Sequence, residues 1–194
     1  MRRFATLGAG KMTNQNSKFI IKNYKTLLST NQKAKELAEK GAKPWTVIVA
    51  ENQTEGRGRE RHEWCSPKGG LYFSIILPKS NLEDLQTLTI LAAFLTAKAI
   101  KENFQGIEPL IKLPNDVLIN GKKVAGVLTE NIIGKDIKLS VMGVGLNTNI
   151  KEFPEELKNI ATSLESELGK QVDNKKILIQ IVEEIKKQLA TIGQ

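Results

Sequence analysis

A chain of 194 residues is long enough to bury one sizeable core. With 40% hydrophobic and 26% charged residues its composition is that of a globular protein; the single Cys65 excludes an internal disulfide framework and a multi-cysteine zinc site. No apolar run reaches the ~18 residues of a membrane-spanning helix. The net charge of +8 raises nucleic acid as a partner. However, 24 of the 29 basic residues are lysines, and a solvated lysine-rich surface explains the charge more simply. The arginines are distributed differently. Arg2 and Arg3 lie at the start, and the other three, Arg57, Arg59 and Arg61, fall within five residues. Arginine supplies a planar, permanently charged fork that meets carboxylate or phosphate in two bonds.

In chain order, residues 1–18 are polar and aperiodic and are expected to form a flexible arm. No apolar core follows Arg2-Arg3, so a secretory leader is not expected and the cytoplasm is the expected compartment. Gly10-Lys11 lacks the first glycine and the Ser or Thr of a phosphate loop. Phe19 to Leu28 is predicted to be a strand, and Ser29-Thr30-Asn31 supplies helix N-cap types. Gln32 to Lys40 follows as a helix with Ala34, Leu37 and Ala38 on one face, ended by Gly41. Thr46 to Ala50 is a β-branched strand. Asn52 to Gly70 is a long, polar, glycine-bearing loop, and loops beyond ~12–15 residues are commonly functional or disordered. Leu71 to Leu77 is a strand and Leu82 to Asn103 a helix. Strands are predicted at Leu110 to Leu113, Val117 to Ile119, Val124 to Thr129 and Lys138 to Val144. Turns are expected at Asn120-Gly121 and near Gly134. Thr162 to Leu168 and Lys175 to Ile192 are helical. Hairpin-linked strands flanked by helices predict an α+β fold, with a mixed, largely antiparallel sheet and helices on one face.

Three segments carry chemistry. The first runs from Glu51 to Trp64, where Gly56 and Gly58 allow close backbone approach, Arg57 and Arg59 offer anion forks, and Trp64 offers an aromatic face. The second runs from Lys112 to Glu130. Asn115 and Asp116 follow Pro114, Lys123 stands before an apolar strand, and Gly126 inside that strand implies a close neighbour. The third, Met142-Gly-Val-Gly-Leu-Asn-Thr-Asn149, lacks the third glycine of a dinucleotide fingerprint.

Taken together and in this order, Ser29-Thr30-Asn31, the GRGR loop with Trp64, "KLPND", "KKVAGVL", "GVGLN" and Ala161-Thr162-Ser163 resemble the biotin protein ligase family over roughly residues 19 to 190. The resemblance implies a fold similar to lipoate ligases and the class II tRNA synthetase core. It also implies that biotin and ATP form biotinyl-AMP, with Mg2+, and that biotin passes to a lysine of a biotin carboxyl carrier protein or domain. No nucleic acid or membrane partner is implied, and a homodimer is compatible. It further implies roles for individual residues. Ser29, Thr30 and Gln53 would bond the ureido ring, with Gly56 and Arg57 lining the same pocket. Gly126, Leu128 and Gly143 would let strands pack against the bicycle. Lys123 would bridge the biotin carboxylate and the α-phosphate. Arg57 and Arg59 would close over the adenylate, and Trp64 and Asn147 would help hold adenine. Asn115 and Asp116 would sit by the phosphates, with Asp116 also a candidate for magnesium or for the incoming lysine. Lys123 and Arg57 suit the repulsion between two anions, and Asp116 suits deprotonation of the acceptor amine.

The chain departs from the family pattern at two places. Arg61-His62 stands where relatives commonly carry Gly-Arg, which puts loop flexibility and a permanent charge in doubt. Leu113 replaces a common Trp and is expected to matter only for packing. A single unit over 19–194 is expected, with no helix-turn-helix and no C-terminal β-barrel. The alternatives are lipoate attachment on the same fold, a basic nucleic-acid-binding module, and a biotin-binding pseudo-enzyme.

Overall fold

The computed structural model describes residues 11–12, 19–78, 84–133 and 138–192. Eight strands form one sheet in the order β1-β2-β3-β4-β8-β7-β6-β5. They are β1 (Lys11–Met12), β2 (Ile20–Leu27), β3 (Thr46–Gln53), β4 (Leu71–Leu77), β5 (Leu110–Lys112), β6 (Asp116–Ile119), β7 (Lys122–Ile133) and β8 (Lys138–Leu146). Only β2 and β3 run parallel, joined across helix α1 (Thr30–Glu39); every other pairing is antiparallel. The expected α+β class and the mixed, largely antiparallel sheet are observed. The proposed flexible arm lies outside the described residues, apart from β1. The turn near Gly134 and the predicted helix start at Leu82 also fall outside them. Asn120 and Gly121 take φ of +51° and +80°, as the predicted tight hairpin requires.

Strand alternation sorts β4 into two layers. Leu71, Phe73, Ile75 and Leu77 face a core built with α2 (Leu85–Asn103) and α4 (Asn174–Ile192). Ile76 faces the other way, packing with Ile48, Val141 and the alanines Ala34 and Ala38 of α1. Helices therefore flank both faces. The two long ones, α2 and α4, cover one face as expected, and α1 lies on the other, beside the strands that carry the glycines. The difference has a simple cause: α1 is the crossover of a parallel pair, and such a crossover must pass over one face. A short helix α3 (Leu164–Leu168), capped by Ser163, precedes α4.

The polar loop after β3 is a closed hairpin. Gln53 N donates to Ser66 O, Trp64 N to Gly56 O, and Gly58 N to His62 O, with Arg57 and Glu63 bridged and a 3-10 turn at Arg59–Arg61 forming the tip. Sequence reading saw only polarity and glycine here, because these backbone bonds leave no periodic trace in the side chains.

Candidate active site

A cavity of about 250 Å³ opens on the α1 face of the sheet, walled by the start of α1, the hairpin, and strands β7 and β8. Its inner wall is polar. Ser29 is the N-cap of α1, but its side chain makes no capping bond and remains available inside the cavity. Thr30 donates to Gln53 Oε1 from its backbone N (2.7 Å) and its hydroxyl (3.1 Å). Gln53 Nε2 donates to Ser66 Oγ at 2.8 Å, and Ser66 donates to Trp64 O. The Gln53 carbonyl is thus saturated, while one amide proton remains for a ligand.

Beneath this row lies a buried network that sequence reading did not find. Ser74 Oγ stands 2.7 Å from Thr30 Oγ1 and 2.6 Å from Asn31 Oδ1, and its one proton serves either. Asn31 Nδ2 donates to Leu128 O and Glu130 Oε2, and Lys35 pairs with Glu130 at 2.5 Å. Two signals were present in the sequence. Ser74 is the one hydroxyl among apolar residues in LYFSIIL, other than the Tyr72 phenol, and Asn31 belongs to the Ser-Thr-Asn triplet. Burial pushes the Tyr72 phenol well above its usual range, and it donates to Pro67 O.

The sheet beside this wall carries glycines whose space is taken by neighbouring side chains. Gly126 pairs with Gly145, and Leu128 with Gly143, so all four share one face. Gly143 is filled from within the protein: a Cβ there would stand 2.2 Å from Asn31 Oδ1. Gly56 serves closure of the hairpin, since its Cβ would meet Trp64 O at 2.4 Å and Ser66 Oγ at 2.6 Å. Gly145, unassigned in the sequence reading, lies under the Trp64 indole.

Cationic groups gather at the open end. Lys123 Nζ is 2.7 Å from Asp116 Oδ1, an ion pair whose angle departs from hydrogen-bonding directions. A β-bulge sets the orientation of Lys123. The β6–β7 register shifts between Val117 and Leu118, leaving Val124 unpaired, and Val124 and Ala125 both enter the core. Strict alternation would send Lys123 to the core side with Ala125; the extra residue returns it to the face of Gly126. Arg57 is exposed and pairs with Glu55 at 3.6 Å. Arg59 reaches Asn115 Oδ1 at 3.5 Å, the outer limit of a hydrogen bond, and Asn115 Nδ2 donates to Val127 O. His62 lines the same cavity, with Nδ1 2.9 Å from Arg59 O. The side chain of Arg61 lies outside the described residues. Asn147 is placed elsewhere: it is buried, and its amide donates to Thr162 O and Lys123 O, tying β8 to the segment before α3. Leu113 is 67% exposed, so packing does not explain it. Burial, then Glu63 and Glu156, push the Cys65 thiol up.

Among the described residues no group of three or more His, Cys, Asp or Glu side chains could cage a metal, and no helix is long and apolar enough to cross a membrane.

This geometry has close parallels in known proteins. Residues 24–147 match the model of the biotin/lipoate A/B protein ligase family, and the chain belongs to that family. It is 40% identical over 187 residues to the bifunctional ligase/repressor BirA of Bacillus subtilis, covering 89% of this chain and 57% of that protein. It is 35% identical over 122 residues to the biotin–[acetyl-CoA-carboxylase] ligase of Paracoccus denitrificans, covering 61% and 50%. The chain thus spans little more than half the length of these curated relatives. Among solved structures it is similar to the Aquifex aeolicus biotin protein ligase in complex with biotin and ATP (TM-score 0.80, 36% identity, 91% of this chain and 72% of that one). It is also similar to the Leishmania major biotin protein ligase in complex with biotinyl-5-AMP (TM-score 0.71, 25% identity, 88% and 75%).

Proposed function

We propose that this protein is an ATP-dependent biotin protein ligase. It would join biotin and ATP to biotinyl-5'-AMP with release of pyrophosphate, then transfer biotin to a lysine of a biotin carboxyl carrier protein or domain. The observation that carries this reading is the cavity's polarity: a neutral donor–acceptor wall at one end and Lys123 at the other. A ureido carbonyl accepts, and the spare Gln53 proton and the Ser29 hydroxyl can supply it. Lys123 at the open end suits a carboxylate. Lipoate, on the same fold, has no ureido group to satisfy this wall, and the named relatives are biotin ligases.

The first step sets one anion on another, as the biotin carboxylate attacks the α-phosphorus and pyrophosphate leaves. Lys123 lies where it can contact both and neutralise charge as it builds, and Arg57 and Arg59 on the hairpin can add to that effect. In the second step the acceptor amine gives up a proton before attacking the mixed anhydride. Asp116 is the carboxylate nearest Lys123 and the candidate to take that proton. AMP then leaves. Among the described residues no side-chain cluster offers a cage for magnesium; the ion would arrive on the phosphates with few protein ligands and with Asp116 at hand. Trp64, Asn115 and Arg59 would border the nucleotide. Asn147 would act only by holding β8 beside Lys123. The test is direct: incubate protein, biotin, ATP and Mg2+, and detect biotinyl-5'-AMP by mass spectrometry. Lipoyl-AMP formed in preference, or no adenylate with either acid, would overturn the assignment.

A further inference from the structure

Trp64 leaves the hairpin and lies across β7 and β8 where they carry no side chains. Gly126 and Gly145 are direct cross-strand partners. A Cβ on Gly145 would stand 2.4 Å from Trp64 Nε1 and 2.5 Å from Cε2, and a Cβ on Gly126 would stand 2.8 Å from Cζ3. These distances are shorter than contacts between such atoms allow, so any side chain at either position would lift the ring. The indole Nε1 is sealed from solvent and has no hydrogen-bond acceptor. Shape, rather than a hydrogen bond, therefore sets the ring's place. The same ring bears on Lys123, whose Nζ is 5.1 Å from its centroid and whose Cε would be 3.2 Å from a Cβ on Gly126.

We propose that Gly145 and Trp64 are positioning residues for Lys123: the glycine pair seats the indole, and the indole holds the ammonium group between its face and Asp116. This rests on the role given to Lys123 above. With the ring displaced, Lys123 keeps only the Asp116 carboxylate and is drawn toward it, away from the open end of the cavity. The loss should fall on the rate of adenylate formation, not on biotin binding at the Thr30–Gln53 wall.

A double-mutant cycle tests this. Gly145→Ala should lower kcat for adenylate formation about tenfold with little change in the KM for biotin, consistent with a partly buried cation–π contact. In a Trp64→Ala background, where the methyl group meets no ring, adding Gly145→Ala should change kcat by no more than about twofold. The same fold-loss in both backgrounds would mean that Gly145 acts on the backbone or the ligand directly, and would overturn the proposal. Trp64→Phe should keep most of the rate and Trp64→Leu should lose as much as Gly145→Ala; equal rates for these two variants would overturn it as well. A readout independent of activity uses Trp45→Phe, which leaves Trp64 the only tryptophan. Adding Gly145→Ala there should make the emission more accessible to acrylamide, and unchanged quenching counts against the seat. A wild-type protein that forms no adenylate would instead count against the proposed function, with the quenching result still deciding the seat.

Discussion

Lys123 is placed by three separate features: the bulge that turns it from the core, the Asp116 carboxylate at 2.7 Å, and the Trp64 ring. Lys123→Ala removes the amine proposed to meet both reacting anions. By analogy with lost oxyanion donors this raises the barrier by about 2–4 kcal/mol, so adenylate formation should fall about 10²-fold or more. Pyrophosphate exchange measures it, and a wild-type rate would remove Lys123 from the mechanism. Ser74 gives a second prediction. Its hydroxyl is fully buried and its one proton serves Thr30 or Asn31, so Ser74→Ala leaves one of these acceptors without its donor and should destabilise the fold by about 1–3 kcal/mol while raising the KM for biotin. Denaturant unfolding and the KM for biotin, with that for ATP as control, would show it; loss of stability with an unchanged biotin KM would separate Ser74 from the site. These cases mark what a sequence displays. Lys123, Arg57 and Asp116 are conspicuous as charges beside apolar strands. Asn31, Ser74 and Gly145 acquire their roles only through pairing across strands far apart in the chain. The same holds for Gly126 and Gly143, where a neighbour's closeness was legible but its identity, Trp64 and Asn31, was not.

At the scale of elements, the hairpin from Gln53 to Ser66 carries three of the chain's five arginines and joins the sheet's pairing at its base, through Gln53. Its base is tied by Gln53 N to Ser66 O and by the Gln53–Ser66 side-chain bond, while Arg57 is exposed and Glu60 at the tip takes a φ of +54°. A segment held at its base and loose at its tip should open locally at a cost well below global unfolding. Limited trypsin digestion should therefore cut at Arg57 and Arg59 in the free protein. Biotinyl-5'-AMP should protect these sites strongly by supplying the anion the arginines face, and ATP alone should protect them little. Equal cleavage with and without the adenylate would refute closure of the hairpin. Arg61-His62 in place of Gly-Arg shifts the third permanent charge of the hairpin by one residue, and because the protection is electrostatic it should weaken as salt is raised. The regular elements were largely legible because alternation and helical spacing are written in side chains. β4 was placed to the residue, and the other predicted strands and helices shifted by only a few residues at their ends. β3 and β7 ran several residues longer than predicted, since their polar ends, Glu51–Gln53 and Glu130–Asn131, extend the strands through the backbone without entering the core.

At the scale of the molecule, the site is built from parts far apart in the chain: the β2–α1 junction, the hairpin after β3, and the middle of β7 and β8. A ligand spanning the cavity bridges all of them, and because it binds only the assembled arrangement it must raise the free energy of global unfolding by RT ln(1 + [L]/Kd). At a hundredfold excess over Kd this is about 2.7 kcal/mol, which for a protein of this size corresponds to a rise in Tm of roughly 5–10 °C. On the proposed function biotin alone would engage the polar wall and ATP alone the open end. Biotin, ATP and Mg2+ together should form the adenylate in place and shift Tm by more than the two single shifts combined. Lys123→Ala separates binding from chemistry here. That variant should keep a shift with added biotinyl-5'-AMP, reduced by the lost contact, but should show no extra shift with biotin plus ATP and Mg2+. Differential scanning calorimetry on both proteins decides the matter. If the extra shift with biotin, ATP and Mg2+ survives in Lys123→Ala, adenylate forms without that amine; if it is absent from the wild type, the cavity binds without joining.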